Sequence, residues 1–229
     1  EGKQLKRYGH LSTGNYNPKT ARLYTDVSYL TANPMLTLDM ENVFFHLASQ
    51  SRLPKLRQLV LAPFQLHGKM LEMIESLGAA AAKGEDARLV AKMNALTDEG
   101  LMRALVKAGQ QGVKIDLIVR GMCGLIPDPV RHEGRLHIRS VIGEFLEHSR
   151  LYHFNIAGRA EWFAGSADLM DRNLDRRVEV LFPLLDPTSI CRCEEVLRVL
   201  LADRRNSWIL QPDGAWLRKE DLEPDSATS

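Results

Sequence analysis

The chain has 229 residues, 45% of them hydrophobic and 26% charged, with a formal net charge of +1. That length allows a sizeable core in one or two domains, and the composition excludes the disordered and collagen-like classes. The small net charge excludes a global field for a polyanion, so any anion site must be built locally.

No apolar run approaches the roughly 18 residues of a membrane-spanning helix, and no signal-peptide pattern opens the chain. The start EGKQLKRYGH lacks an initiator methionine, so the chain is expected to be a fragment of a longer protein. Three cysteines, Cys123, Cys191 and Cys193, form neither a CxxC nor an even set. Reduced thiols in the cytoplasm are therefore expected, with no metal site in this chain.

The basic segment GKQLKRYGHLSTGNYN, with Lys3, Lys6 and Arg7, predicts a short strand ending in a polar turn, and TARLYTDVSYLT continues it. ENVFFHLASQ predicts a helix, and a connector follows at Ser51–Pro54. LRQLVLAPF then has strand length, HGKMLEMIESLGAAAAKG predicts a helix ending at Gly84, and ARLVAKMNAL a strand. TDEGLMRALVKAGQQG predicts a helix with Thr97 and Gly100 at its start and Gly112 as its stop, and VKIDLIVRG a third apolar strand. This alternation predicts a parallel or mostly parallel sheet. LHIRSVI, SRLYHFNI, AEWFAGS and RRVEVLFPLL add strands, and SICRCEEVLRVLLADRR closes with a helix. The reading is an α/β sandwich with a boundary near residue 55: residues 1–55, then 56–212, then a polar tail at 213–229, expected to be frayed after Lys219.

Two polar corners, HLSTGNYNPKT and WFAGSADLMDRN, each leave a strand, pass small residues and glycine, and meet Asn or Asp. They suggest two similar halves, the first truncated. Ahead of the second corner stand His148 and Arg150. An imidazole is an acid, base or nucleophile near neutral pH, and a guanidinium at i+2 on a strand shares its face and can grip phosphate with two N–H groups. Gly165-Ser166 can offer backbone N–H groups and a hydroxyl to an anion. Taken singly, His148 also fits an exposed strand-face histidine; its coupling to the Gly-Ser corner favours a site.

Arg120 ends a buried strand, where α/β sheets place ligand contacts, although a strand-end arginine can equally snorkel to solvent. Lys92 and Asn94 alternate onto one face of the neighbouring strand and could join it, or form a solvated face. DRNLDRRVEV, containing Arg172, carries both charge signs, and such a run is usually a salt-bridged surface. Tyr24 and His10 flank the first corner, where a ring could stack a base or simply pack. His67-Gly68-Lys69 has an H-x-K form but precedes a helix without a Gly-Ser corner, and is incidental.

RYGHLSTGNYNPKTARLYTD, LIVRGMCGLIP, FLEHSRLYHF and GSADLMDRNLDRRVEVLFPLLDP resemble, in order, the C-terminal catalytic region of the bacterial polyphosphate kinase family. The resemblance covers nearly all of residues 5–200. It implies a phospholipase D-like fold, here a partial first half plus a complete second half. It implies reversible transfer of the ATP terminal phosphate to inorganic polyphosphate, with ATP/ADP as substrates and Mg²⁺ as cofactor.

In the family a first-half histidine is phosphorylated; no residue here fills that place, and it is expected roughly ten residues before Glu1. The Mg²⁺ ligands are expected upstream too, and the fragment alone is expected to be inactive. By position His148 matches the second-half histidine, an acid/base or phosphate-stabilising group that also touches nucleotide. Tyr24 and Arg120 match nucleotide contacts. The candidate phosphate or polyphosphate set is His10, Asn15, Lys92, Asn94, Arg150, Ser166 and Arg172.

The resemblance also implies a homo-oligomeric, cytoplasmic full-length enzyme with peripheral membrane association and no nucleic-acid partner. Two other readings stay open: a phospholipase D-type phosphodiesterase or nuclease, against which Arg150 stands where those enzymes have lysine, and a non-catalytic polyphosphate-binding module.

Overall fold

The computed structural model describes residues 5–49 and 52–222; Lys3 and residues 223–229 of the tail lie outside the described residues. In chain order the elements are β1 (Gly9–Ser12), β2 (Tyr24–Thr25), β3 (Ser28–Thr31), α1 (Pro34–Ser49), β4 (Val60–Ala62), α2 (Leu66–Ala81) and β5 (Ala87–Met93). Next come α3 (Glu99–Gln110), β6 (Lys114–Val119), β7 (Leu136–Val141), β8 (Leu146–Glu147), β9 (Arg150–Ile156), β10 (Arg159–Gly165) and α4 (Asp171–Leu174). The chain closes with β11 (Glu179–Pro183), α5 (Pro187–Ala202), β12 (Ser207–Leu210), β13 (Trp216–Arg218) and α6 (Lys219–Leu222).

Nine strands form one sheet in the order β13-β12-β7-β6-β5-β9-β10-β11-β4. The α/β expectation is met, but the sheet is not mostly parallel. Within it only β5–β6 and β6–β7 run parallel, and the other ladders are antiparallel. The reason is connection length. Parallel neighbours need a long crossover, which α3 supplies between β5 and β6. By contrast β9 turns into β10 through Ala157 and Gly158 alone, both at positive φ (49° and 83°), the two-residue geometry that matches strand twist. Ala-Gly lacks the Asn-Gly signature, so the hairpin was not legible.

Alternation along the strands sorts the core into two clusters. Leu89, Ala91 and Met93 of β5 face α2 and α3, with Leu77 and Leu105 among their neighbours. Val90 of β5, Ile118 of β6 and Leu151 of β9 face the other way, where Leu197 of α5 and the first segment's Leu11, Tyr29 and Leu36 complete the packing. The first segment thus shares a core with the rest. Asp39 of α1 tightens that junction: its buried Oδ2 accepts from the backbone N–H groups of Arg57, Gln58 and Leu59 at 2.8, 2.7 and 3.0 Å.

Helix ends follow local chemistry. Asp98, not Thr97, caps α3, accepting from Leu101 N at 2.8 Å; a carboxylate there satisfies an orphan donor. Gly112 follows with φ 107°, where a residue without Cβ is unstrained. Pro187 starts α5 behind the Asp186 cap, two residues before the expected start. The expected polar tail carries a strand ahead of Lys219. Trp216–Arg218 pairs with β12 as an edge strand, because Trp216 packs against the core and Arg218 lies 5.9 Å from the Trp208 ring.

Candidate active site

Topology gathers the site. Asn94 and Arg120 directly follow the parallel strands β5 and β6. Antiparallel β9 begins at that same sheet edge, with Arg150 opposite Gly165 of β10. A cavity of about 370 Å³ opens there, lined from the second segment by Asn94, Arg120, His148, Arg150, Ser166, Asp168, Arg172, Asn173, Arg177 and Glu179, and from the first by Thr13, Gly14, Asn15 and Tyr24. A larger cavity, about 720 Å³, lies at β4 against Phe64, Trp162 and Leu184 and contains none of the candidate phosphate residues.

His148 is at the centre. Its Nδ1 lies 3.0 Å from both carboxylate oxygens of Asp26, with the two side chains 16% and 19% exposed. A carboxylate only accepts, so Nδ1 carries the proton and Nε2 is left as the acceptor of the neutral ring. Asp26 is placed by its own neighbours. Thr13 Oγ1 donates to it at 2.7 Å, and a Cβ on Gly14 would sit 2.1 Å from Asp26 Oδ2, so only glycine fits beneath it. Burial would raise the Asp26 carboxyl, but hydrogen bonds from His148 and Thr13 and the charges of His148 and Arg150 hold it below the usual range.

The strand pair β2–β8, parallel with Thr25 opposite Glu147, sets the approach: the backbone N–H groups of His148 and Ser149 both donate to Thr25 O, at 3.2 and 3.0 Å. Tyr24 follows from the same pairing, its ring centroid 4.7 Å from that of His148.

Arg150 is not free to grip a phosphate as expected. It is 6% exposed; Nε and Nη2 donate to the two oxygens of Asp168 at 3.1 and 2.9 Å, and Nη1 donates to Thr13 O at 3.0 Å. Nη1 also lies 3.2 and 3.1 Å from both His148 ring nitrogens, so the guanidinium places positive charge beside the ring. Asp168 additionally accepts from Asn94 N at 2.8 Å. Burial would raise its carboxyl, but Arg150's hydrogen bonds and charge, with Asn94, hold it low.

Three further expectations are corrected. The Ser166 backbone N–H is spent on Val180 O at 3.0 Å, and its hydroxyl bonds to Glu179 while accepting from Val180 N; the corner continues the sheet instead of cradling an anion. Lys92 does not line the cavity: it is 1% exposed, with its ammonium on Ser149. Its partner in that expectation, Asn94, does join Arg120, whose Nε donates to Asn94 Oδ1 at 2.8 Å. His10 pairs with Tyr16 Oη at 3.0 Å and lines a neighbouring apolar cavity with Met40 and Phe44.

Asn15 lines the main cavity, although its carbonyl oxygen accepts from Asn17 N and Thr20 Oγ1. Arg172 lines it too, together with Arg177; both are exposed, and neither has an ion pair among the described residues.

Asp26, Asp168, Asn173 and Glu179 were missed as site residues. Asp26 and Asp168 do lie inside the quoted ARLYTD and GSAD stretches, but only the fold shows what they touch. The carboxylates in and beside the cavity do not fit a magnesium ion: Asp168 is saturated by Arg150 and Asn94, Glu179 accepts from Ser166 and Asn173, and Asp26, behind His148, accepts from Thr13 while contacting the ring. Elsewhere among the described residues His67, Asp98 and Asp175 bring donor atoms within 4.8 Å of one another; Asp98 is the α3 cap and contacts His67 Nε2 at 3.1 Å, and none of the three lines the cavity.

Comparison with known proteins agrees with this architecture. A family model described as "Polyphosphate kinase C-terminal domain 2" matches residues 59–229, and "Polyphosphate kinase C-terminal domain 1" matches residues 1–53. Proteins named polyphosphate kinase from Synechocystis sp. and Xylella fastidiosa are 44% identical over 229 residues and 46% over 231, covering 100% and 99% of this chain and 32% and 33% of theirs. The chain therefore spans about a third of the length of the curated relatives it matches. The crystal structure of the polyphosphate kinase from Porphyromonas gingivalis superposes with a TM-score of 0.89 at 32% identity, covering 96% of this chain and 34% of that one. The chain belongs to the polyphosphate kinase family, of which it carries the C-terminal domains.

Proposed function

We propose that this chain supplies one side of the pocket in which a polyphosphate kinase moves the terminal phosphate between ATP and inorganic polyphosphate. The observation that carries the reading is His148, held by Asp26 through Nδ1, in a cavity also lined by Arg120, Arg172 and Arg177. An oriented imidazole beside arginines that keep their charge at any pH suits phosphoryl transfer, where positioning and charge stabilisation do most of the work. His148 Nε2 accepts or returns a proton, or in the imidazolium form donates to a phosphate oxygen. Arg120 binds a nucleotide phosphate, Tyr24 packs beside the nucleotide, and Arg172 and Arg177 engage phosphate oxygens. Arg150 and Asp168 hold His148 and the Gly-Ser corner in place.

The covalent acceptor is assigned to a histidine outside this chain. There the bond from the γ-phosphorus to the β,γ-bridging oxygen breaks, an N–P bond forms and ADP leaves. A terminal polyphosphate oxygen then attacks phosphorus and the N–P bond breaks. Splitting the transfer in this way lowers each barrier. On this reading the 229-residue chain alone is inactive.

Incubation with γ-labelled ATP and Mg²⁺, with assay of acid-labile protein-bound phosphate, compares this chain with one extended to a complete first half. Label on the extended chain only is the expected result. Label on the short chain would make His148 or His10 the acceptor, and saturable polyphosphate binding without label on either would favour a binding module.

A further inference from the structure

We infer that Lys92 is a positioning residue that clamps the His148 strand to the segment bearing Asp26, so that the histidine–carboxylate contact can form. Its importance for phosphate transfer rests on the kinase reading; the clamp itself does not.

Lys92 sits in the otherwise apolar strand β5, on the face shared with Val90, Ile118 and Leu151, and is 1% exposed. All three ammonium donors have a place to go: Ser149 Oγ at 2.9 Å, Ser149 O at 3.0 Å and Glu147 Oε2 at 3.4 Å. Glu147 Oε2 also accepts from Thr25 Oγ1 at 3.1 Å, and Thr25 O takes the N–H groups of His148 and Ser149. Lys92 therefore grips the residues on both sides of His148, and through Glu147 it reaches Thr25, which lies between Tyr24 and Asp26. It does this without lining the cavity.

The clamp is open to titration. Burial pushes the Lys92 ammonium down to about 8, against the charge and hydrogen bond of Glu147 and the charge of Asp26, with Arg150 adding to the fall. Those groups face it from β8, from the residue after β2, and from β9. An unfolded chain keeps this proton up to the ordinary lysine value of 10.5, whereas the folded chain gives it up first. Between those limits this group makes the fold more stable as pH rises, not less. Loss of the His148–Asp26 contact over that range is therefore separable from unfolding.

The test is the low-field NMR signal of the His148 Nδ1 proton in ¹⁵N-histidine-labelled chain, identified by its absence in Asp26→Asn, with thermal unfolding recorded alongside. In the wild-type chain the signal is expected near pH 7 and to fade above about pH 8. Lys92→Met lacks it near pH 7, and Lys92→Arg, which cannot lose its charge, retains it to about pH 10. Lys92→Arg also controls for faster exchange with water at high pH.

A folded Lys92→Met chain with the wild-type signal overturns the inference, as does a wild-type signal that persists to about pH 10, or a Lys92→Arg signal that fades with the wild-type one. Should Lys92→Met fail to fold, the comparison of wild type with Lys92→Arg decides. No nucleotide or polyphosphate enters the measurement, so failure of the labelled-ATP assay leaves the clamp standing, and the reverse holds.

Discussion

Replacing Asp168 with asparagine removes one member of a buried ion pair and leaves the other in place. Arg150 and Asp168 are 7% and 12% exposed at their side chains, joined by two hydrogen bonds, and Asp168 also receives Asn94 N. Stranding one charge of such a pair costs about 3–5 kcal/mol. Asparagine keeps one acceptor oxygen, which places the expected loss near about 3 kcal/mol. For a chain of this size roughly 2–4 °C of Tm accompanies each kcal/mol, so Tm should fall by roughly 6–12 °C.

The pH dependence gives a second check. Arg150 and Asn94 hold the Asp168 carboxyl below its ordinary value of 3.8. Its stabilisation is complete above that ordinary value and is lost as pH falls through the lower folded one. Urea unfolding at pH 7 and through the acid range should show the gap between wild type and variant widest at neutrality and narrowing in acid. A variant within about 1 kcal/mol of wild type at pH 7, or a gap that ignores pH, would refute the reasoning.

In an enzyme with a complete first half, Asp26→Asn frees the His148 ring to take the other tautomer, and turnover is expected to fall roughly 10²–10⁴-fold with little change in Tm. Gly14→Ala drives a Cβ into Asp26 Oδ2; it should reproduce the turnover loss of Asp26→Asn, which a kinetic comparison of the two variants checks. Arg172→Gln and Arg177→Gln should each weaken tripolyphosphate binding about tenfold in calorimetry, with a shallower salt dependence because one screened charge is lost. Lys92→Met should leave a stable fold, since burial already disfavours the Lys92 charge and the Glu147 carboxylate, 22% exposed, keeps contact with water. Glu147 keeps Thr25 as donor, and urea unfolding tests this.

Much of this protein was legible in its sequence because the signals are local. Apolar period and capping chemistry marked β5, α3, β6 and α5, although their starts moved by a residue or two to where Asp98 and Asp186 catch backbone N–H groups. Motifs found His148, Tyr24, Asn94, Arg120 and Arg172, and the fold brings these to one cavity. What only the tertiary structure decided is where each polar group spends its hydrogen bonds. Arg150, Ser166 and Lys92 have the right chemistry for phosphate, yet each is consumed by a partner distant in sequence: Asp168, Glu179 and Ser149 with Glu147.

The sheet's mixed direction was hidden for a related reason. Residue alternation reports which face is buried, whereas direction depends on connection length and on a two-residue turn built without the usual signature. Asp26 shows the limit most plainly, because its role exists only where β2 runs beside β8, 122 residues further along the chain. Composition, period and motif settle which chemistry the chain can bring, but its availability is set by desolvation and competition among neighbours that meet only after folding.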